Sequence, residues 1–237
     1  MLLSIIIPAY NEEKTIGIVL DRLQKVNLSD LKKEIIVVDD GSRDKTVRVV
    51  REKQKNFKEV ILIEKSSNGG KGTAVTTGIK NAKGDLLLIQ DADLEYNPED
   101  IPRLLKPILN KKVKVVYGTR LRTDFKLFGK EKTPLPFHFF GNKFLSLITS
   151  LLYGEAITDM ETGYKAFTKD AIEGIDFKSR SFDFEPEITA KILKKGLKIL
   201  ELDIKIIPRG YDEGKKIHPI KDGAIALFTL LKYRIVN

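Results

Sequence analysis

Five short apolar runs alternate with amphipathic segments over the first 120 residues of the chain. The apolar runs are predicted strands, and they occupy residues 2–8, 34–40, 59–64, 85–91 and 113–118. The segments between them have helical periodicity, at residues 12–26, 43–55, 73–82 and 98–109. Continuous apolar strands that alternate with helices are typical of a mostly parallel sheet with helices on both faces. The pattern therefore predicts an α/β fold.

The second half of the chain has a less regular pattern. Residues 125–136 have the composition of an exposed loop, whereas later segments predict further helices and strands. These are a helix at 137–154, a strand ending near 167, a helix at 184–196, a strand at 198–208 and a basic amphipathic helix at 221–233. No internal repeat or linker is visible, so we expect a single domain over residues 1–237.

Composition narrows the classes of protein that this chain can represent. The 237 residues contain no cysteine and two histidines, which excludes disulfides, zinc–thiolate sites and cysteine nucleophiles. The formal net charge of +9 predicts an anionic partner, either a phosphorylated substrate or a membrane surface. Nucleic acid is not expected, since no nucleic-acid-binding motif is present. No signal peptide and no apolar run of about 18 residues is found, so a soluble or peripheral protein is expected.

Polar loops follow each of the first four predicted strands. They read PAYNEE, DDGSRD, SSNGGKG and DADLE. Ligands of open α/β sheets bind beyond the carboxyl ends of the strands, where these four loops are expected to meet. The loops therefore predict a nucleotide site at one edge of the sheet.

The acidic loop after the fourth strand is the strongest chemical signal. Asp91 and Asp93 are two residues apart, and Glu95 follows at the same spacing. Carboxylates in this arrangement can hold Mg²⁺ or Mn²⁺, which in turn binds a diphosphate. The alternative is that these acids are solvated loop residues or helix caps.

Two other loops carry candidate nucleotide contacts. An ionised Asp40 can accept hydrogen bonds from a ribose hydroxyl or a base N–H, although Asp39, Ser42 and Asp44 can equally cap loops and helices. The glycine-rich run at residues 68–74 could expose backbone N–H groups to a phosphate, with Lys71 as a counter-ion. Such runs are more often simple turns.

Basic residues provide candidate phosphate contacts. Arg120 and Arg122 follow the fifth predicted strand, and Arg209 with Lys215 and Lys216 forms a second basic cluster. Guanidinium groups bind phosphate oxygens in a bidentate manner. The alternative is a solvated basic surface.

The chain resembles the family 2 inverting glycosyltransferases of GT-A fold in six motifs: SIIIPAYNEE, VVDDGSRDKT, NGGKGTAVTTGI, GDLLLIQDADLEY, YGTR and DMETGYKAF. Within that family it looks most like the dolichyl- and polyprenyl-phosphate sugar synthases. The resemblance implies a nucleotide-binding part over about residues 1–120 and an acceptor and membrane-facing part over about 121–237. It also implies that the enzyme is peripheral on the cytoplasmic face of a membrane.

The resemblance also assigns expected roles to individual residues. The residues expected around the nucleotide-sugar are Pro8, Tyr10, Glu12, Asp40, Lys71 and Asp91. The metal positions are Asp91, Asp93 and Glu95, so Asp91, Asp93 and Arg120 would carry catalysis. Arg120, Arg209 and Lys215 would meet the acceptor phosphate.

The implied reaction transfers a hexose, mannose or glucose, from GDP-mannose or UDP-glucose to dolichyl or polyprenyl phosphate with Mg²⁺ or Mn²⁺. Mannose synthases of the family usually carry Thr-Ser-Gly-Phe-Arg where this chain has Glu-Thr-Gly-Tyr-Lys at 161–165. The alternatives are transfer to a saccharide hydroxyl, with Asp159 or Glu161 as the base, and a non-catalytic peripheral membrane protein.

A final expectation concerns residues 137–152. Their apolar positions extend beyond one helical stripe, and Lys130, Lys132 and Lys143 lie beside them. This pattern predicts an interfacial helix on an anionic membrane. The alternative is a helix packed onto the sheet. Phe139 and Phe140 diverge by about 100°, so one is expected to be buried and the other exposed.

Overall fold

The computed structural model describes residues 1–121, 136–207 and 219–236, and within these ranges it contains one seven-stranded sheet. The strands are β1 (Leu2–Ala9), β2 (Lys32–Asp39), β3 (Val60–Glu64), β4 (Leu86–Ile89), β5 (Val115–Thr119), β6 (Lys165–Thr168) and β7 (Ile199–Asp203). Their order across the sheet is β3-β2-β1-β4-β6-β5-β7. The predicted α/β fold is confirmed.

Apart from the short helix at Lys169–Ile172, which was not predicted, the helices lie close to the predicted segments. They are α1 (Ile16–Lys25), α2 (Thr46–Gln54), α3 (Lys71–Asn81), α4 (Ile101–Leu109), α5 (Pro136–Tyr153), α6 (Lys169–Ile172), α7 (Phe184–Lys194) and α8 (Pro219–Ile235). A 3₁₀ turn at Pro98–Asp100 precedes α4, and the Asn97 side chain caps it by accepting a hydrogen bond from the Glu99 N–H.

One strand runs against the others. The pairs β1–β2, β1–β4, β2–β3 and β5–β7 are parallel, whereas β6 is antiparallel to both β4 and β5. The sheet is therefore mostly parallel, as predicted. Because β6 is reversed, its amino end lies at the same edge as the carboxyl ends of its neighbours.

Apolar side chains cover both faces of the sheet. Ile5 and Ile7 of β1 join the core cluster that includes residues of α1 and α4, whereas Ile6 joins the cluster that includes residues of α3 and α7. Burial on both faces explains why these strands read as continuous apolar runs rather than alternating ones.

Helix α5 has its apolar stripe on the outside. Phe140, Phe144, Leu147 and Leu151 are exposed, whereas Ser146 and Thr149 are buried. The stripe follows the i, i+4, i+7, i+11 spacing of one helix face. Phe140 is 58% exposed, whereas Phe139 is partly buried, so the two neighbours diverge as predicted. The alternative of packing onto the sheet is therefore wrong for these four side chains, although Leu145 on another face of α5 does join the core.

Several predicted features lie outside the described residues. These are Arg122, residues 125–135 of the predicted loop with Lys130 and Lys132, and the basic cluster of Arg209, Lys215 and Lys216. Among the helices in the described ranges, none combines the length and the apolar character that a transmembrane span requires.

Candidate active site

A cavity of about 440 Å³ opens at the carboxyl edge of the sheet. The predicted site residues that line it are Pro8, Tyr10, Glu12, Asp40, Lys71, Asp91, Asp93, Glu95, Arg120 and Glu161. The sheet therefore brings together residues that are up to 153 positions apart in the chain. Glu185, Phe182 and Ser181 also line the cavity, although no pattern in the sequence pointed to them.

Lys71 forms ion pairs with two acidic residues that line the cavity. Its Nζ lies 2.9 Å from Asp91 Oδ1 and 2.8 Å from Glu185 Oε1. Burial alone lowers the pKa of Lys71, but the Asp91 and Glu185 carboxylates raise it well above its ordinary value. The lysine is therefore a cation that neutralises Asp91 and Glu185 at the start of α3.

The acidic loop after β4 has a fixed local conformation. Leu94 has a φ of 65°, in the left-handed region, and its side chain packs against the core cluster. The Oδ1 atom of Asp93 accepts a hydrogen bond of 3.1 Å from the Glu95 N–H. This turn places Asp93 and Glu95 at the cavity while Ala92 is buried between Asp91 and Asp93.

Gly163 packs directly against Asp91. A Cβ atom added to Gly163 would collide with Asp91 Oδ2. The Gly163 N–H donates a hydrogen bond of 2.9 Å to the buried hydroxyl of Tyr96, and the ring of Tyr96 lies 5.1 Å from that of Tyr164. These contacts hold the loop before β6 against the acidic loop after β4.

Asp40 organises the glycine-rich loop. Its carboxylate accepts hydrogen bonds from the Gly69 N–H at 3.1 Å and the Gly70 N–H at 2.7 Å, and it is paired with Lys65. Gly70 has a φ of 91°, which favours glycine at this turn. Within the predicted cradle at residues 68–74, the N–H groups of Gly69 and Gly70 are thus bonded to Asp40 rather than exposed to a phosphate. Asp40 itself lines the cavity.

Arg120 is oriented by Asp159. The Nε and Nη2 atoms of Arg120 donate hydrogen bonds of 2.7 Å and 2.8 Å to the two carboxylate oxygens of Asp159. Asp159 is fully buried, and its Oδ2 also accepts the Arg120 backbone N–H at 2.9 Å. Both oxygens of Asp159 are thus occupied, which makes Asp159 a poor candidate for a base.

Glu161 lies in the loop before β6, and Lys165 is the first residue of β6. Within the described residues, no hydrogen bond joins these two side chains. Lys165 is buried, and its ammonium donates hydrogen bonds to the backbone carbonyls of Met160 and Thr162. Burial, and then the charge of Glu185, raises the pKa of Glu161. Burial lowers the pKa of Lys165. Lys165 therefore stabilises the loop at residues 160–162 through its backbone carbonyls, whereas Glu161 lines the cavity.

The donor set of the cavity fits a divalent metal. In the ranges that the structure describes, no three or more Asp, Glu, His or Cys side chains converge as a metal cluster. The predicted trio of Asp91, Asp93 and Glu95 is thus not gathered around one point. Mg²⁺, however, usually takes only one or two carboxylates and completes its shell with phosphate oxygens and water. Asp91 and Asp93, which both line the cavity, fit that role.

The fold and the site together define the class. A mostly parallel sheet, with acidic, lysine and arginine side chains around a cavity at its carboxyl edge, is the arrangement of an α/β enzyme that binds a nucleotide. The family model for glycosyl transferase family 2 matches residues 4–175. The chain belongs to this family and is a glycosyltransferase.

Two relatives and one solved structure extend this result. The chain is 36% identical over 229 residues to the UDP-N-acetylglucosamine–dolichyl-phosphate N-acetylglucosaminyltransferase of Methanococcus voltae, covering 89% of this chain and 87% of the relative. It is 32% identical over 221 residues to a dolichyl-phosphate beta-glucosyltransferase of Trichomonas vaginalis, covering 86% and 65%. Glucosyl-3-phosphoglycerate synthase of Mycobacterium tuberculosis, solved with Mn²⁺, UDP and glucosyl-3-phosphoglycerate, superposes with a TM-score of 0.73 at 20% identity, covering 100% of this chain and 81% of that one. This last likeness supports the GT-A fold.

Proposed function

We propose that this enzyme transfers a hexose from a UDP-sugar to dolichyl or another polyprenyl phosphate. The observation that carries the proposal is Arg120, a guanidinium at the cavity that Asp159 holds in a fixed orientation. Guanidinium groups bind phosphate oxygens, and both relatives are named as transferases that act on dolichyl phosphate. A UDP-sugar is favoured over GDP-mannose because the names of these relatives include UDP-N-acetylglucosamine and glucose.

Electrostatics would account for most of the catalysis. Asp91 and Asp93 would hold a divalent metal, which supplies Lewis-acid stabilisation of the diphosphate when bound. Lys71 would counter the charge of the same diphosphate. Arg120 would reduce the repulsion between the acceptor phosphate and the donor, and position the acceptor for attack on the anomeric carbon.

A phosphate acceptor removes the need for a base. A lipid phosphate is already anionic at neutral pH, whereas a saccharide hydroxyl must lose a proton during transfer. Asp159 was one of two candidate bases for the hydroxyl reaction, and its two oxygens accept hydrogen bonds from Arg120. This arrangement favours the phosphate acceptor.

Helices α5 and α8 would bind the membrane that contains the lipid acceptor. They pack against each other, and both expose apolar side chains: Phe140, Phe144, Leu147 and Leu151 on α5, and Ile220, Phe228, Leu231 and Ile235 on α8. Lys232 and Arg234 are exposed on α8. Apolar side chains with adjacent cations suit an interface of anionic lipids, which supports a peripheral position on the membrane.

A product assay tests the proposal. UDP-N-acetylglucosamine, UDP-glucose and GDP-mannose would each be incubated with the enzyme, a polyprenyl phosphate and Mn²⁺, and the lipid fraction analysed by mass spectrometry. We expect a sugar-phosphate lipid from a UDP-sugar. Absence of lipid product from all three donors, with transfer to a saccharide instead, would contradict the proposal.

A further inference from the structure

Two buried carboxyl oxygens in the cavity have no hydrogen-bond partner among the described residues. They are Oε1 of Glu161 and Oε2 of Glu185. Glu161 lies in the loop before β6, and Glu185 lies in the first turn of α7, where it is 4% exposed. Buried polar atoms are nearly always hydrogen-bonded in native proteins. Two such atoms in one cavity point to a ligand that supplies the missing donors.

The neighbouring cations do not supply those donors. Lys71 contacts the other oxygen of Glu185, Oε1, and Lys165 donates to backbone carbonyls. Arg120 is bonded to Asp159 through Nε and Nη2. Oε1 of Glu161 and Oε2 of Glu185 therefore receive no hydrogen bond from these cations.

The chemistry of the pair selects an uncharged ligand with hydroxyl groups. Neither carboxyl group offers a positive charge to a phosphate, so the diphosphate and the acceptor phosphate are expected near Lys71 and Arg120 instead. A hydroxyl group donates one hydrogen bond and satisfies one carboxyl oxygen. Lys71 links Glu185 to Asp91, which is expected to hold the metal and the diphosphate. Glu161 lines the same cavity, two residues before the Gly163 that packs against Asp91. In a sugar nucleotide, the group attached to the diphosphate is the hexose.

We infer that Glu161 and Glu185 form the hexose-binding subsite and accept hydrogen bonds from hydroxyl groups of the donor sugar. This inference rests on the proposed function. Hexoses differ in the orientation of their hydroxyl groups, so the pair would help to determine which hexose the enzyme accepts.

Binding measurements distinguish the contribution of the hexose to affinity from that of the nucleotide. Isothermal titration with Mg²⁺ present would compare UDP, UDP-glucose and UDP-N-acetylglucosamine on the wild type, Glu161→Gln and Glu185→Gln. We expect the variants to lose affinity for at least one UDP-sugar by about threefold to tenfold, the size typical of a single hydrogen bond. Their affinity for UDP should stay within about twofold. Glu173→Gln, at an exposed position, is the matched control.

Other results would overturn the inference. Equal losses for UDP and the UDP-sugars would indicate a structural role, and unchanged affinity for all three would exclude any role. If the circular dichroism spectrum shows that Glu185→Gln fails to fold, the affinities for UDP and the UDP-sugars would be compared on Glu185→Asp and Glu161→Gln instead. If the wild type binds UDP-sugars but makes no lipid product, the proposed function is contradicted. The binding data on the variants would still decide whether Glu161 and Glu185 contact the hexose.

Deoxy analogues would identify the contacted hydroxyl. A UDP-glucose analogue that lacks the contacted hydroxyl should bind the wild type and Glu161→Gln equally. If every deoxy analogue loses the same affinity on both proteins, Glu161 contacts no sugar hydroxyl and the subsite is wrong.

Discussion

Glu201 positions Asp159. Its carboxylate on β7 accepts a hydrogen bond of 2.9 Å from the Asp159 N–H and further bonds from the N–H and hydroxyl of Thr158. Asp159 in turn fixes the guanidinium of Arg120. The last strand of the sheet thus determines the orientation of an arginine that follows β5.

This relationship predicts the effect of Glu201→Gln. The amide keeps the size of the side chain but removes its charge, so the loop at residues 158–159 and the Arg120 guanidinium should lose their fixed orientation. We expect kcat to fall about tenfold with little change in the donor KM, and the free energy of unfolding to fall by about 1–3 kcal/mol because Glu201 is buried. Steady-state kinetics and urea unfolding measure both. Glu173→Gln, at an exposed position, should change neither. A normal kcat in Glu201→Gln would show that Arg120 does not depend on this network.

Metal removal should abolish transfer. If Asp91 and Asp93 hold the cation of the diphosphate, EDTA should stop the reaction, and Mn²⁺ or Mg²⁺ should restore it. Asp93→Asn should lose activity while its melting temperature stays within a few degrees of the wild type, because Asp93 is only partly buried. Asp30→Asn, at an exposed turn, is the control. Full activity in EDTA would remove the metal from the mechanism.

Gly163→Ala should displace Asp91. The added methyl group would meet Asp91 Oδ2, and a shift of about 1 Å in a catalytic group can cost about a hundredfold in rate. Gly141→Ala is the matched control, because its Cβ meets no atom within 4 Å and alanine favours the helix. Transfer rates and Mn²⁺ affinity of the two variants should therefore differ. Equal activities would indicate that the position of Asp91 tolerates the shift.

The stereochemistry of the product tests direct displacement. Attack of the acceptor phosphate on the anomeric carbon should convert an α-linked donor sugar into a β-linked lipid phosphate. The anomeric coupling constants of the isolated product, measured by NMR, report the configuration. An α-linked product would require a two-step mechanism instead.

The exposed stripe of α5 should govern membrane binding. Replacing Phe140, Phe144 and Leu151 together with Ser should reduce co-sedimentation with phosphatidylglycerol vesicles by about tenfold or more, because each of these side chains would lose apolar contact with lipid. Transfer to a short, water-soluble prenyl phosphate should survive.

A second triple variant controls for this experiment. Ile18, Ile61 and Leu109 are also exposed apolar residues, but they lie on other elements, so their replacement with Ser should not affect vesicle binding. Equal losses in the two triple variants would contradict a specific membrane face. A fall in melting temperature of the α5 variant alone would show that its stripe supports the fold.

The sequence predicted the first five strands well because burial on both faces leaves continuous apolar runs. It could not reveal the reversed β6, since this strand is only four residues long and contains the buried, charged Lys165. Glu185 was missed because an acid in the first turn of a helix is ordinarily explained by the helix dipole. The pairing of Arg120 with Asp159 joins residues 39 positions apart, which no local pattern encodes.

The placement of β6 has a consequence for how the chain is made. In the sheet, β5 lies between β6 and β7, so a nascent chain that has emerged only to residue 120 has no neighbour for Val115–Thr119. Domains generally fold as units during synthesis. β5 first gains a neighbour once Lys165–Thr168 has been made, and the seven-stranded sheet is complete only when Ile199–Asp203 has followed.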